Sequence, residues 1–453
     1  MTTETISDAM RRARRALAAV ETYSQKQVDD IARMFARIVY DRAEPLARLA
    51  VDETRMGVYE HKVKKNLGKA RILWSEMKGQ KSVGVLRELP EAGLIEIANP
   101  KGVIGAVTPC TNPIVTPMCN AMFAVKGRNV IIVAPHPRAR KCAVRLVEMY
   151  REGLERMGVP PDIVQVLAEP SVELTGQLMK AVDVVIATGG MGMVKAAYSS
   201  GKPSFGVGAG NVQCLIDAGV DYERATAKMI EGRAFDNGII CSGEQTMIAP
   251  ARDYDRVVAA AVKAGACHLD DPEAVGKLRN AIFPGGAMNK NLVGRPAAEV
   301  AAAAGVAIPA GTAVIIVKPE RHGEGEAFSQ EKMCPVMSAY SYSTWEEAVA
   351  IARENLLVEG AGHSVSIHSD DKEHLLYAGE RLPVSRLLVN QICSTMNGGS
   401  FFNGLAATTT LGCGSWGNNS ISENLSWRHL FNVSRIAMVK PGGRQPTDEE
   451  IWA

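Results

Sequence analysis

Between Gly102 and Ile216, short apolar runs rich in β-branched residues alternate with stretches of helical character. The runs are Val103 to Val107, Val130 to Val133, Ile163 to Leu167, Val182 to Ala187 and Gln213 to Ile216. A strand with one wet face alternates apolar and polar residues, whereas a run that stays apolar throughout is buried on both faces. Repeating such runs with helices between them predicts a parallel sheet covered on either side, an α/β region of the nucleotide-binding type.

A second α/β region is expected from about Tyr222 to Ala407. Its helices include Tyr254 to Ala264 and Glu346 to Glu354, and its strands lie near Ala313 to Val317 and Arg386 to Val389. Ahead of both regions, from Ile6 to about Lys78, apolar residues recur at three and four, as at Ile31, Met34, Phe35 and Ile38, which predicts amphipathic helices. The segment Ser82 to Ala98 changes to Val83, Val85, Leu89, Ile95 and Ile97 around Pro90 and Gly93, the pattern of a hairpin or extended arm. The Gly/Asn/Ser-rich stretch Thr410 to Asn424 reads as a functional loop, and the residues around Phe431 to Met438 as a tail. Three parts are therefore expected. They are 1–221, with the helices, an arm at about 82–100 and the first α/β region; 222–409, the second region; and 410–453, a return segment and tail.

At 453 residues the chain exceeds the size at which one core stops growing, which fits more than one domain. A formal net charge of +2 is too small for a nucleic-acid footprint or a basic membrane patch, so small-molecule ligands are expected. The nine cysteines are scattered with no CxxC pair, which argues against a disulfide framework or a zinc knuckle and fits a reducing cytoplasm. No metal site is expected. Met1 through Arg15 lacks the apolar core of a signal peptide, and no apolar run is long enough to cross a bilayer.

One cysteine stands apart. Cys241 lies in Asp236-Asn-Gly-Ile-Ile-Cys-Ser-Gly-Glu-Gln245, where Asn237-Gly238 breaks the chain just before it. A lone cysteine is usually a small core residue, but one at the mouth of a turn can meet a helix N-terminus, whose dipole favours the nucleophilic thiolate. Further on, Asp183-Val-Val-Ile-Ala-Thr188 leads into Gly189-Gly-Met-Gly192 and a helical stretch. Strand, glycine turn and helix start suit a pyrophosphate, because backbone N–H groups can approach it closely.

These segments occur together with Thr108-Pro-Cys-Thr-Asn-Pro113, Glu331-Lys-Met-Cys-Pro-Val336, Glu359-Gly-Ala-Gly-His363 and Leu411-Gly-Cys-Gly-Ser-Trp-Gly-Asn-Asn-Ser-Ile-Ser-Glu-Asn424. In this order, from about residue 100 to 435, they resemble the aldehyde dehydrogenase superfamily, and most of all its CoA-acylating branch. Val115-Thr-Pro-Met-Cys-Asn-Ala-Met122 and Glu449-Glu-Ile-Trp452 are similar to pieces of CoA-dependent succinate semialdehyde dehydrogenases. The resemblance implies an aldehyde dehydrogenase-like α/β fold: a Rossmann-type cofactor domain, a second α/β catalytic domain, and an arm and tail that pair subunits into a homodimer or homotetramer.

The resemblance also implies roles. Cys241 would attack the aldehyde, with Asn112 and the Cys241 backbone N–H receiving the oxyanion; read without the family, Asn112 is an ordinary turn or cap residue. His363 would lie near the site and position the CoA thiol proton, where a histidine after glycines is otherwise a satisfied loop residue. Glu331 would hold the nicotinamide ribose. Thr108, Pro109, Thr188, Gly189, Gly190, Gly208 and Gly210 would contact the cofactor, and Ser242 and Arg386 the substrate.

Two departures within the resemblance sharpen the chemistry. Hydrolytic relatives carry a glutamate in a Glu-Leu-Gly-Gly-Lys type motif as general base for water. The matching stretch here is Gly206-Val-Gly-Ala-Gly-Asn211, which puts Val207, give or take one residue, in the glutamate's place. Water needs such a base near neutral pH and a thiol does not, so the missing carboxylate favours coenzyme A as the acyl acceptor. NAD-preferring relatives carry Lys-Pro-x-Glu after the second strand. Here Ala134-Pro-His-Pro137 precedes Arg138, Arg140 and Lys141, so His136, Pro137 and Arg138 replace the acid that would repel a ribose 2′-phosphate. NADP(H) is expected to serve at least as well as NAD(H), unless the arginines simply begin a solvated helix. Succinate semialdehyde is the favoured aldehyde, with sulfoacetaldehyde and short neutral aldehydes as alternatives. Lys332, Arg381, Arg386 and Ser394 to Ser400 are candidate donors for its distal end. The rivals to this activity are hydrolytic oxidation and a silent structural homologue.

Overall fold

The computed structural model describes residues 5–453. Residues 1–4, the head of the polar N-terminal stretch, lie outside the described residues. Helices Ile6–Val20, Gln25–Asp41, Ala43–Thr54 and Tyr59–Met77 open the chain, as the spacing predicts. Ser24 and Gln27 form a reciprocal capping box that starts the second helix. Its face of Val28, Ile31, Phe35 and Val39 is buried, and Phe35 stacks on Tyr150 at 4.2 Å. Burying such a ring contributes roughly 2–3 kcal/mol. The second and fourth of these helices pack on Val115–Lys126, which is buried along its whole length and has no polar face to offer solvent.

The hairpin arm consists of β1 (Gly84–Leu89) and β2 (Leu94–Pro100), antiparallel, turning at Gly93 with φ of 64°. Then come β3 (Val103–Thr108), β4 (Val130–Pro135), β5 (Val164–Val166), β6 (Val184–Thr188) and β7 (Ser204–Val207). They form a parallel sheet in the order β5-β4-β3-β6-β7. The order reverses between β3 and β6, and the crevice beyond the carboxyl ends of such a pair is where open α/β sheets bind ligands.

The second sheet holds β8 (Val212–Ile216), β9 (Glu244–Pro250), β10 (Ala266–Leu269), β11 (Val314–Val317), β12 (Val336–Tyr342), β13 (Gly362–His368) and β14 (Val384–Val389). All pairs are parallel, in the order β10-β11-β12-β9-β8-β13-β14. β15 (Phe431–Ala437) returns to pair with β2 and completes a three-stranded antiparallel sheet.

One assignment changes. Gln213 to Ile216, expected in the first region, is the core of β8 and lies between β9 and β13 in the second sheet. Residues 208–211 alone join β7 to β8, too few for a crossover to a parallel neighbour, so the chain must leave the first sheet there. The division between the two sheets therefore falls before β8, not at residue 221. Among the described residues no helix is long and apolar enough to cross a membrane, and no group of three or more His, Cys, Asp or Glu is placed to hold a metal ion.

Candidate active site

Cys241 occupies a turn, closed by Gly243 N donating to Ile240 O at 2.8 Å, that leads into β9. No helix begins there, so the expected assistance from a helix dipole is missing. Burial, followed by Glu331 and Cys413 nearby, pushes the Cys241 thiol up to about 12, with Arg386 pulling the other way. At neutral pH the Cys241 sulfur is a thiol.

The protein closes tightly on this turn. A Cβ on Gly210 would come 1.9 Å from the Cys241 carbonyl oxygen, so the Gly206–Asn211 stretch meets Cys241 at Gly210. Val207, in the place of the hydrolytic glutamate, is buried at the end of β7. Glu331 is the carboxylate beside Cys241. It accepts a hydrogen bond from Gly210 N at 3.2 Å, and burial, reinforced by Glu359, raises its pKa to about 8.

Asn112 follows β3 and accepts at its carbonyl from Thr116 N, just ahead of the buried helix. Its Oδ1 receives Lys65 Nζ at 2.8 Å. Lys65 also contacts Asp236, five residues before Cys241, and Lys62 Nζ reaches the same carboxylate at 3.0 Å. This network joins the N-terminal helices to the cysteine turn. The sequence reading overlooked it, because a lysine on an amphipathic helix reads as a solvated charge.

His363 opens β13 and is fully buried, with neither ring nitrogen hydrogen-bonded. Burial and Arg386 lower its pKa to about 3, so the ring is neutral, with a free nitrogen able to accept a hydrogen bond. Arg386 lies at its back, but not as the expected substrate donor. Its guanidinium donates to Ser364 Oγ, Ser422 O, Asn424 Oδ1, His363 O and Gly412 O at 2.7–3.3 Å. Those acceptors use the whole fork, so Arg386 fastens the 410–424 loop to β13.

Other expected donors are also occupied. Ser242 Oγ donates to Ser394 O at 3.1 Å, Lys332 Nζ donates to Phe328 O and Gln330 O, and Arg381 is exposed and paired with Glu380. Three unexpected polar residues lie on the helix of Lys65 and the helix that follows Asn112. Lys69, one turn beyond Lys65, donates to Gly398 O at 2.7 Å and Thr408 O at 3.2 Å, and burial draws its pKa down to about 8. Thr116 and Asn120, one and two turns beyond Asn112, are fully buried with unpartnered side-chain polar atoms.

On the cofactor side, Thr108 ends β3 with Pro109 after it, and Thr188 ends β6, the two strands that flank the crevice. Gly189 and Gly190 lead into helix Met191–Tyr198, whose first turn has no side-chain cap. A Cβ on Gly190 or Gly192 would meet nothing within 4 Å, so the turn offers open backbone of the kind a pyrophosphate requires. Gly208 packs on Met191, with a built Cβ 2.2 Å from its Sδ. After β4, His136 and Arg138 are exposed around Pro137. Among the described residues Arg138 has no ion-pair partner, whereas Arg140 is paired with Glu169. Glu53 caps the following helix at Lys141 N and Cys142 N, a contact the sequence did not suggest.

Two facing α/β layers, with a cysteine turn of one against the glycine loops of the other, define the class: the chain belongs to the aldehyde dehydrogenase family, which matches residues 1–276. It is 52% identical over 99% of its length to a succinate-semialdehyde dehydrogenase (acetylating) of Clostridium kluyveri, covering 98% of that protein. An acetylating aldehyde dehydrogenase from Geobacillus thermoglucosidasius superposes with a TM-score of 0.93 at 35% identity, covering 98% of this chain and 97% of that one. A Rhodopseudomonas palustris propionaldehyde dehydrogenase, solved with bound CoA and an acylated cysteine, superposes with a TM-score of 0.87 at 26% identity, covering 97% and 98% of the two chains.

Proposed function

We propose that the protein is a CoA-acylating aldehyde dehydrogenase that interconverts succinate semialdehyde, CoA and NAD(P)+ with succinyl-CoA and NAD(P)H. The observation that carries this reading is the contact of Cys241 with a glycine stretch that has Val207 where a hydrolytic base would be. Cys241 forms a thiohemiacetal with the aldehyde, and Asn112 and the Cys241 N–H receive its oxyanion. Gly189, Gly190, Thr108 and Glu331 would hold the nicotinamide cofactor, which when bound would supply the hydride acceptor that oxidation of the adduct to a thioester requires. The CoA sulfur then displaces Cys241: the neutral His363 accepts a hydrogen bond from the CoA thiol and positions it, and the thiol proton passes to the departing Cys241 sulfur, whose pKa is raised to about 12.

An acid-bearing aldehyde is supported by Thr116 and Asn120, which provide unpartnered polar groups in the protein interior one and two turns beyond Asn112. Arg138 supports use of NADP(H). The exposed apolar residues Ile436, Met438 and Val439, at and just beyond the end of β15, support pairing into a homodimer or homotetramer, and nine free cysteines support a reducing cytoplasm. The test is mass spectrometry of enzyme mixed with succinate semialdehyde and NAD(P)+ without CoA. A succinyl adduct on the Cys241 peptide that CoA discharges is expected. Multiple turnover without CoA, at a rate near that with it, would overturn the proposal.

A further inference from the structure

Asn112 can place either its oxygen or its nitrogen toward a developing oxyanion, and only the nitrogen stabilises it. Lys65 Nζ sits 2.8 Å from Asn112 Oδ1, and an ammonium has donors but no acceptor. The Asn112 atom that faces Lys65 is therefore the carbonyl oxygen, which turns the amide N–H pair the other way. Reversing the amide would set N–H against N–H.

Lys65 is itself held. The Asp236 carboxylate contacts Lys65 and also accepts Lys62 Nζ at 3.0 Å and Val58 N at 2.8 Å, and it is fully buried. Asp236 adopts a left-handed backbone with φ of 54°, and its N–H donates to His61 Nδ1 at 2.8 Å. Gly57 completes the enclosure, since a Cβ there would come 2.0 Å from Asp236 Oδ1. Backbone strain of this kind persists where the surroundings over-determine it.

From this geometry we infer that Lys65, anchored by Asp236, is a positioning residue that fixes the Asn112 amide with its N–H donors toward the oxyanion beside Cys241. The inference rests on the oxyanion role proposed for Asn112. It assigns Lys65 an action through Asn112 and not through the far end of the substrate.

Lys65→Met is the informative variant, because Asp236 keeps Lys62 and no buried charge is left alone. Removing an oxyanion donor costs about 10²–10³-fold in kcat, so Asn112→Ala is expected to lose that much, and Lys65→Met about 30-fold. The Lys65→Met loss falls on kcat, with KM for CoA and cofactor within about twofold, and is equal for succinate semialdehyde and neutral propionaldehyde. Added to Asn112→Ala, Lys65→Met costs no more than about threefold further, because the residue it serves is gone.

A full 30-fold loss in the Asn112→Ala background, or a loss confined to the acidic aldehyde, would overturn the inference. An active Asn112→Ala enzyme would instead overturn the oxyanion reading beneath it. A measurement on the unaltered enzyme applies even if Lys65→Met folds poorly. Burial, opposed by Asp236 and reinforced by Lys62, draws the Lys65 pKa to about 8, with Cys241 also facing it. A neutral amine can accept as well as donate, so above about pH 8 the NAD(P)H burst without CoA should climb less steeply than the roughly tenfold per pH unit by which the Cys241 thiolate grows. A burst that climbs the full tenfold per unit from pH 8 to 10 contradicts the inference.

Discussion

The cysteine side and the cofactor side of this site are built on opposite plans. Around Cys241 the protein fills its own space. Gly210 has no room for a methyl, Asp236 takes two lysines and a backbone amide, and Arg386 is satisfied by five acceptors. Around Gly189, Gly190 and Gly192 the backbone is open, and among the described residues Arg138 has no ion-pair partner. The packing around Cys241 is set before any ligand arrives, as electrostatic preorganisation requires, whereas the glycine turn leaves its backbone free for one.

Substitutions on the two sides should therefore fail differently, and Cys241→Ala gives the largest effect. Turnover should fall on the order of 10⁴-fold or more, while NADP+ affinity, read by fluorescence quenching, stays within about twofold. Gly210→Ala comes next. Its methyl must move the Cys241 carbonyl, and a displacement near 1 Å costs about 10²-fold in kcat. The melting temperature should drop as well, with no ligand present. Gly190→Ala is the matching change on the open side. It should leave melting within a degree or so and raise the cofactor KM several-fold, because its Cβ meets solvent and not protein. Equal thermal losses in the two glycine variants would break the contrast.

The two sides were also unequally legible in the sequence. β3, β4 and β6 are readable because strands buried on both faces leave apolar runs that nothing interrupts. Ser204–Val207 escaped notice because Ser204 and Gly206 break such a run, and without β7 the crossing into the second sheet at β8 could not be seen. Cys241, Asn112 and the glycine turn stand in local motifs. Lys65 does not, because its meaning comes from Asp236, 171 residues away, and burial made by distant chain has no local signature. Arg386 was misread for the same reason. A cation on a strand edge invites a ligand until the 410–424 loop is seen to occupy it.

Arg138 gives an effect between those of the two glycine variants. A charge-assisted hydrogen bond to a ribose 2′-phosphate contributes about 1.5–3 kcal/mol, so Arg138→Ala should raise KM for NADP(H) by roughly 10-fold or more and leave NAD(H) kinetics unchanged. Equal losses with both cofactors would place Arg138 outside the phosphate site and remove this asymmetry from the cofactor side.

The smallest effect concerns stability in mild acid, and it belongs to the closed side. His363 and His368 lie on β13 with pKa values drawn down to about 3 and about 4, by burial first and then by Arg386 and Lys228 respectively. An unfolded histidine titrates near 6.5, so between that pH and the folded values the unfolded chain binds more protons and stability falls as pH falls. From pH 6.5 to 5.5 each histidine should remove roughly 1 kcal/mol, while Glu244 and Glu331, whose pKa values are raised to about 8, pull the other way, so the His363 share is read as a difference between two proteins. Over that interval His363→Leu, which titrates nothing, should gain roughly 1 kcal/mol relative to the unaltered enzyme, measured from urea midpoints at an unchanged m-value. If the two proteins change in parallel, His363 is protonated in the folded enzyme, and the neutral imidazole proposed to position the CoA thiol is absent.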